Sequence, residues 1–133
     1  MDFPILLCDD SQLAQRMLIK ALPSDWPVRT HLANNGRKAL KLLKAQHMAV
    51  TFIDLVMPEM DGWQLMQQIR QAGIETLIIV VTGDRQQQTR QRALQAGACA
   101  VLTKPLQANE LSTLLKNYGL YVPAPIKLGQ SVG

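Results

Sequence analysis

The chain lacks most of the features that would place it outside ordinary globular proteins. Cysteine is scarce: Cys8 and Cys99 are the only two in 133 residues, and neither belongs to a Cys-x-x-Cys. Each sits in an apolar run, which reads as a small buried hydrophobe. With no disulfide framework, a reducing cytoplasm is the expected compartment. Runs of five or more like charges are absent, the lysines and arginines are dispersed, and the net charge is only +4. Direct nucleic-acid binding is therefore not expected of this segment. No apolar run approaches the length of a membrane span. The opening "MDFPILLCDD" has no basic stretch ahead of its apolar residues, so it does not read as a secretory signal.

What is present is 47% hydrophobic content in a length suited to one domain with its own core. Short apolar runs alternate with amphipathic stretches. "PILLC" (4–8) reads as a buried strand. "SQLAQRMLIKAL" (11–22) reads as a helix through the recurrence of Leu13, Met17 and Leu18, with Leu22 beyond them, and Pro23 ends it. "PVRTHLA" (27–33) alternates like a strand with one wetter face. Asn35-Gly36 turns into the helix "RKALKLLKA", with Ala39, Leu40 and Leu43 inward. "MAVTFID" (48–54) is a third strand, and "GWQLMQQIRQAG" (62–73) is a helix stopped by Gly73. "TLIIVVT" (76–82) is apolar throughout, as a central strand covered on both faces should be. A polar helix over 85–97, a strand over 99–103 and a last helix over 108–119 complete five β-α units. This alternation predicts an α/β fold: a doubly wound, five-stranded parallel sheet with helices on both faces. Right-handed crossovers favour the flavodoxin-like order 2-1-3-4-5. The domain is expected to occupy 1–119. Residues 120–133 lose periodicity and carry two prolines, so they read as a C-terminal tail, a linker or a docked extension.

Sites in such sheets form beyond the carboxyl ends of the strands. Here those ends deliver Asp9-Asp10, Asp54, Thr82-Gly83 and Lys104-Pro105. An acid after a strand is commonly a helix N-cap, and Asp10 or Asp61 could be no more than that. Taken together, three clustered acids repel one another and make sense around a bound cation. All-oxygen donors suit Mg²⁺, which takes one or two carboxylates plus a phosphate. Thr82 and Lys104 add a hydroxyl and an ammonium suited to phosphate. Asp54, alone between the metal side and the Thr/Lys side, is the expected nucleophile toward a phosphoryl group. A Mg²⁺-dependent phosphohydrolase with Asp9 as nucleophile is a competing reading, although such enzymes want their two acids separated by one residue.

The stretches "ILLCDDS" (5–11), "FIDLVMPEMDG" (52–62), "VVTG" (80–83) and "LTKPL" (102–106) resemble, in this order and spacing, the receiver domain of two-component response regulators. The resemblance spans roughly residues 3–118. It implies that Asp54 is the phosphoacceptor and that Asp10 binds Mg²⁺ directly while Asp9 acts largely through water. It further implies that Val56 offers its backbone carbonyl to the metal, Thr82 bonds the phosphoryl group and Lys104 pairs with it across a cis Lys104–Pro105 bond. The implied donor is a phosphohistidine on a sensor histidine kinase or a histidine phosphotransfer protein, and the implied target is a downstream protein or effector domain. Such a domain is no turnover enzyme; it catalyses only its own phosphorylation and dephosphorylation. His31 and His47 have no counterpart role and read as surface residues. One position departs from the pattern: relatives carry Tyr or Phe three residues before the lysine, as a rotating switch, and this chain has Val101. Valine is stiff at χ1 and has no ring to swing. That substitution leaves room for a third reading, a receiver used as a constitutive scaffold.

Overall fold

The computed structural model describes residues 2–123. The elements follow in strict alternation: β1 (Phe3–Cys8), α1 (Gln12–Ala21), β2 (Val28–Ala33), α2 (Gly36–Ala45), β3 (Val50–Ile53), α3 (Gly62–Gln71), β4 (Leu77–Thr82), α4 (Gln87–Gln95), β5 (Ala100–Thr103) and α5 (Ala108–Asn117). All strand pairs are parallel and the order is β2-β1-β3-β4-β5, as the sequence pattern predicts.

Side chains on a strand alternate between faces, and the two cores divide accordingly. Ile5, Leu7, Val50, Phe52, Ile79 and Val81 meet Leu18 of α1 and Leu111 and Leu115 of α5. Leu6, Cys8, Ile53, Ile78 and Val80 meet Ala39 and Leu43 of α2, Leu65, Met66 and Ile69 of α3, and Ala93 of α4. A fully buried Leu or Phe contributes about 1.5–3 kcal/mol, so these two layers supply most of the drive to fold. Among the described residues, no helix is long and apolar enough to cross a membrane.

Two local readings change. In α1 the buried residues are Gln15, Leu18 and Ala21, whereas Leu13 and Met17 of the expected apolar stripe are 66% and 48% exposed. The helix is turned because Gln15 has its own business inside: its amide donates to the Asp9 carbonyl at 2.8 Å and to the Ala33 carbonyl at 3.4 Å. These two bonds satisfy the buried amide, which would otherwise carry a desolvation cost. The second change lies at the end of the domain. The Trp26 indole donates to the Leu120 carbonyl at 2.8 Å, the Tyr121 hydroxyl bonds Asp25 at 2.6 Å, and Tyr121 is buried. The packed body thus runs past residue 119; residues 124–133 of the expected tail lie outside the described residues.

Candidate functional site: an acidic cluster at the carboxyl edge of the sheet

Three strands hand their next residue to the site through one more ladder bond. The Asp9 amide donates to the Ala33 carbonyl (3.0 Å), the Asp54 amide to the Cys8 carbonyl (2.9 Å) and the Lys104 amide to the Thr82 carbonyl (2.8 Å). The site residues therefore inherit the rigidity of the sheet although they lie just past its strands. β3 stops at Ile53, which leaves Asp54 as the first residue beyond it. Ser11 is the N-cap of α1, its hydroxyl accepting from the Ala14 amide at 3.1 Å, so Asp10 is not spent as a cap. Asp61 is a cap: with Gln64 it forms a reciprocal capping box at the start of α3.

Gly62 follows that cap for a steric reason. A Cβ there would press on the Asp54 carbonyl oxygen and the Leu55 backbone. The Gly62 amide also donates to the Leu55 carbonyl at 3.0 Å, drawing the start of α3 against the acid loop. Only glycine allows this approach.

One carboxylate oxygen from each of Asp9, Asp10 and Asp54 lies within 4.8 Å of the others. Asp9 is buried and both of its oxygens are engaged: Oδ1 accepts from the Ser11 amide at 2.9 Å and Oδ2 from Lys104 Nζ at 2.8 Å. Lys104 also reaches Asp54 Oδ2 at 3.5 Å. Asp54 is otherwise lightly held, with Oδ1 taking a long 3.4 Å bond from the Val56 amide. Asp10 is exposed and has no hydrogen bond or ion pair among the described residues. Val56, next on the same loop, is exposed. Thr82 is buried, and its oxygen accepts from the Asp84 amide at 3.1 Å, which leaves its proton available to a further acceptor.

Burial raises the Asp54 carboxyl above the ordinary range; Lys104 opposes this and the Asp9 charge adds to it. Burial works against the Lys104 ammonium, but the hydrogen bond to Asp9 and the charges of Asp54 and Asp9 outweigh it, and its pKa is raised. The low-dielectric wall is visible in the structure. A cavity of about 340 Å³ opens beside the acids, and Phe52, Met17, Val81, Pro105 and Leu106 line it. Cys8 also faces it, with burial pushing its thiol far up, so it is an inert wall and not a nucleophile.

The donor set fits a hard cation: three carboxylate oxygens, no nitrogen or sulfur, and a single ammonium against three negative charges. The structure brings together Asp9, Asp10, Asp54 and Lys104 by direct geometry, with Val56 on the Asp54 loop and Thr82 at the end of β4, its carbonyl bonded to the Lys104 amide. Val101 is elsewhere, buried in the core under α4, with its carbonyl accepting from Arg90 at 3.1 Å. The Lys104–Pro105 bond is cis. His47 is exposed, and His31 is partly buried on the edge strand β2 beside Arg29.

Sequence reasoning missed three contributors. Gln15 braces the Asp9 backbone, the Ser11 amide holds the Asp9 carboxylate, and Arg90 clasps the Val101 carbonyl. Only the first had a signal, a glutamine on the inward side of a helix that was expected to be apolar there.

The sequence matches the response regulator receiver domain family over residues 5–116. Among relatives, it is 35% identical over 118 residues to the sensor histidine kinase RcsC of Escherichia coli, covering 88% of this chain and 12% of that protein. It is 36% identical over 112 residues to the regulatory protein AtoC of the same organism, covering 84% of this chain and 24% of that one. The chain therefore spans a quarter or less of these two relatives. Among solved structures, the signal receiver domain of the response regulator NarL from Mycobacterium tuberculosis superposes with a TM-score of 0.78 at 26% identity, covering 88% of this chain and 95% of that domain.

Proposed function

We propose a function on the premise that the chain belongs to the response regulator receiver domain family of two-component signalling: it accepts a phosphoryl group on Asp54 in a Mg²⁺-dependent reaction and changes conformation in response. The observation that carries this reading is the partition of hydrogen bonds between the acids. Asp9 has both oxygens committed, to the Ser11 amide and to Lys104, whereas Asp54 keeps a lightly bonded carboxylate in the centre of the cluster. An uncommitted oxygen can attack phosphorus; a committed one is better used to position. This ordering disfavours a hydrolase with Asp9 as nucleophile.

In the reaction, an Asp54 carboxylate oxygen forms the new O–P bond as the N–P bond of a phosphohistidine breaks, and the departing imidazole takes its proton from solvent. Asp10, Asp9, Asp54 and the Val56 carbonyl would hold Mg²⁺, which supplies the positive charge that lets a dianion approach three carboxylates. Lys104 already bridges toward Asp54 and pairs with the transferred group. The Thr82 hydroxyl donates its proton to a phosphoryl oxygen, and the Asp84 amide bound to that hydroxyl moves with it. Catalysis of this kind is positioning and charge neutralisation, so the domain turns over nothing except its own acyl phosphate.

The donor is a sensor histidine kinase or histidine phosphotransfer protein, and the response is read by a downstream protein or effector domain in the cytoplasm. That the relatives include a sensor histidine kinase and a regulatory protein supports that pairing. Intact-mass measurement after incubation with acetyl phosphate tests the reading. One phosphoryl group should add with Mg²⁺, none after chelation, and none in Asp54→Asn. Equal labelling of that variant, or label mapped to the Asp9 peptide, would refute it.

A further inference from the structure

Residues 85–109 contain Arg85, Arg90, Arg92 and Lys104 and no Asp or Glu. Lys104 is neutralised by Asp9 and Asp54. The α4 arginines are not: none of them makes an ion pair among the described residues. α4 buries only Ala93, and Arg90 helps hold it to β5 through the Val101 carbonyl.

Arg92 is organised as well. The Arg92 guanidinium lies 3.9 Å over the ring of Trp63, which is half-buried at the start of α3. Stacking occupies the guanidinium face and leaves its N–H edge free in a fixed orientation. Arg70, on α3, is fixed at the same seam by a 3.3 Å bond from Nη1 to the Gln95 carbonyl at the end of α4. Between the two helices runs an open groove of about 320 Å³, lined by Trp63, Gln67, Arg70, Gln71 and Ala96, with no carboxylate among them.

We propose that this α3–α4 groove docks an acidic protein segment. Its Asp or Glu side chains pair with the N–H edges of Arg92 and Arg70, and an apolar side chain lies against Trp63 and Ala96. Charge complementarity selects the occupant, and a rigid Trp–Arg pair is the kind of anchor that concentrates binding energy because little side-chain freedom is lost on docking. A nucleic acid fits less well. Tracking a phosphate backbone needs a stripe of cations and open aromatic faces, and here the single ring is covered by Arg92. The surface uses none of the residues placed at the acid site, so it stands or falls apart from the phosphoacceptor reading.

The test is an amide chemical-shift titration of the full chain with a short glutamate-rich peptide carrying one leucine. A lysine-for-glutamate counterpart and a single-stranded oligonucleotide serve as the other probes. The glutamate peptide should give saturable shifts confined to residues 63–71 and 87–96, and affinity should fall about tenfold or more in Arg92→Gln and in Trp63→Leu. Trp63→Tyr keeps a ring for Arg92 to stack on and should retain most binding. Amide shifts outside residues 63–71 and 87–96 should match wild type in all three variants, which shows that they fold. The proposal is overturned by any of four results: no saturable shift with the glutamate peptide, unchanged affinity in Arg92→Gln, equal binding of the lysine peptide, or tighter binding of the oligonucleotide.

Discussion

Lys104 and Asp9 are separated by 95 residues, yet Lys104 Nζ lies 2.8 Å from Asp9 Oδ2, closer than its 3.5 Å to Asp54. On the proposed reading the ammonium is parked on a positioning acid, one short reorientation from the proposed acceptor. Transfer of that contact from Asp9 to a phosphoryl group on Asp54 would give the two states of the domain a differential interaction, without which no population shift can occur. In Lys104→Ala, phosphorylation by acetyl phosphate should persist at a reduced rate while its conformational consequence disappears. Hydrogen exchange over residues 83–106, with and without beryllofluoride, separates the two effects. A protection change of wild-type size in the variant would show that the lysine does not couple them.

Removing the Asp54 charge should stabilise the protein when metal is absent. Its folded-state pKa is raised, by burial first and by the Asp9 charge. Folding therefore favours the protonated form, and that contribution is present at low pH and lost as pH rises through the raised value. At neutral pH the ionised carboxylate is a liability that Asp54→Asn lifts. We expect a Tm increase at about pH 7.5 that shrinks as the pH falls into the acid range. A variant less stable than wild type at neutral pH and without metal would contradict the burial argument.

Mg²⁺ affinity should respond unequally to the two adjacent acids. Asp10 is exposed and uncommitted, whereas both Asp9 oxygens are occupied by Ser11 and Lys104. Asp10→Ala should weaken binding about tenfold or more, and Asp9→Ala clearly less, since loss of an outer contact costs less than loss of a ligand. Trp63 offers a fluorescence report of the titration. Equal losses in the two variants would mean that Asp9 is a direct ligand.

The response to phosphorylation should be small around Val101. Val101 is already buried, so any inward movement has at most a few tens of Å² of apolar area to transfer, on the order of 1 kcal/mol at ~25 cal/mol per Å². That is about a tenfold bias, against the roughly 10⁴-fold a complete two-state swing requires. The Arg90 bond to the Val101 carbonyl further ties α4 to β5. Adding beryllofluoride and Mg²⁺ should shift amides of residues 82–86 and leave 99–103 nearly still, with Val101→Tyr widening the response. Large wild-type shifts through β5 and α5 would show that the switch needs no aromatic.

The strands and the ends of the strands were legible because both obey short rules. Apolar runs of fixed length make buried parallel strands, and the sheet topology then dictates which residues meet at its edge. That is how Asp9, Asp54 and Lys104, distant in sequence, could be placed together. What escaped depends on rotation and partners instead of pattern. The face of α1 was set by two carbonyls that Gln15 reaches, not by the Leu13 and Met17 stripe. The docking of Tyr121 was set by Asp25, 96 residues earlier, in a stretch without periodicity. The Trp63–Arg92 stack needs the spacing of two helices, which no local motif encodes.

The crowding at Gly62 also gives the domain a direction. On that flank the backbone of the acceptor loop touches α3 so closely that not even a methyl group fits, while on the opposite flank Gly83 has nothing within 4 Å of where its Cβ would be. On the proposed reading, a phosphoryl group on Asp54 would find no slack toward α3, whereas Gly83, next to Thr82, leaves room ahead of α4. Gly62→Ala would then loosen the tight flank by forcing the acceptor loop and α3 apart, without touching any group proposed to contact phosphate.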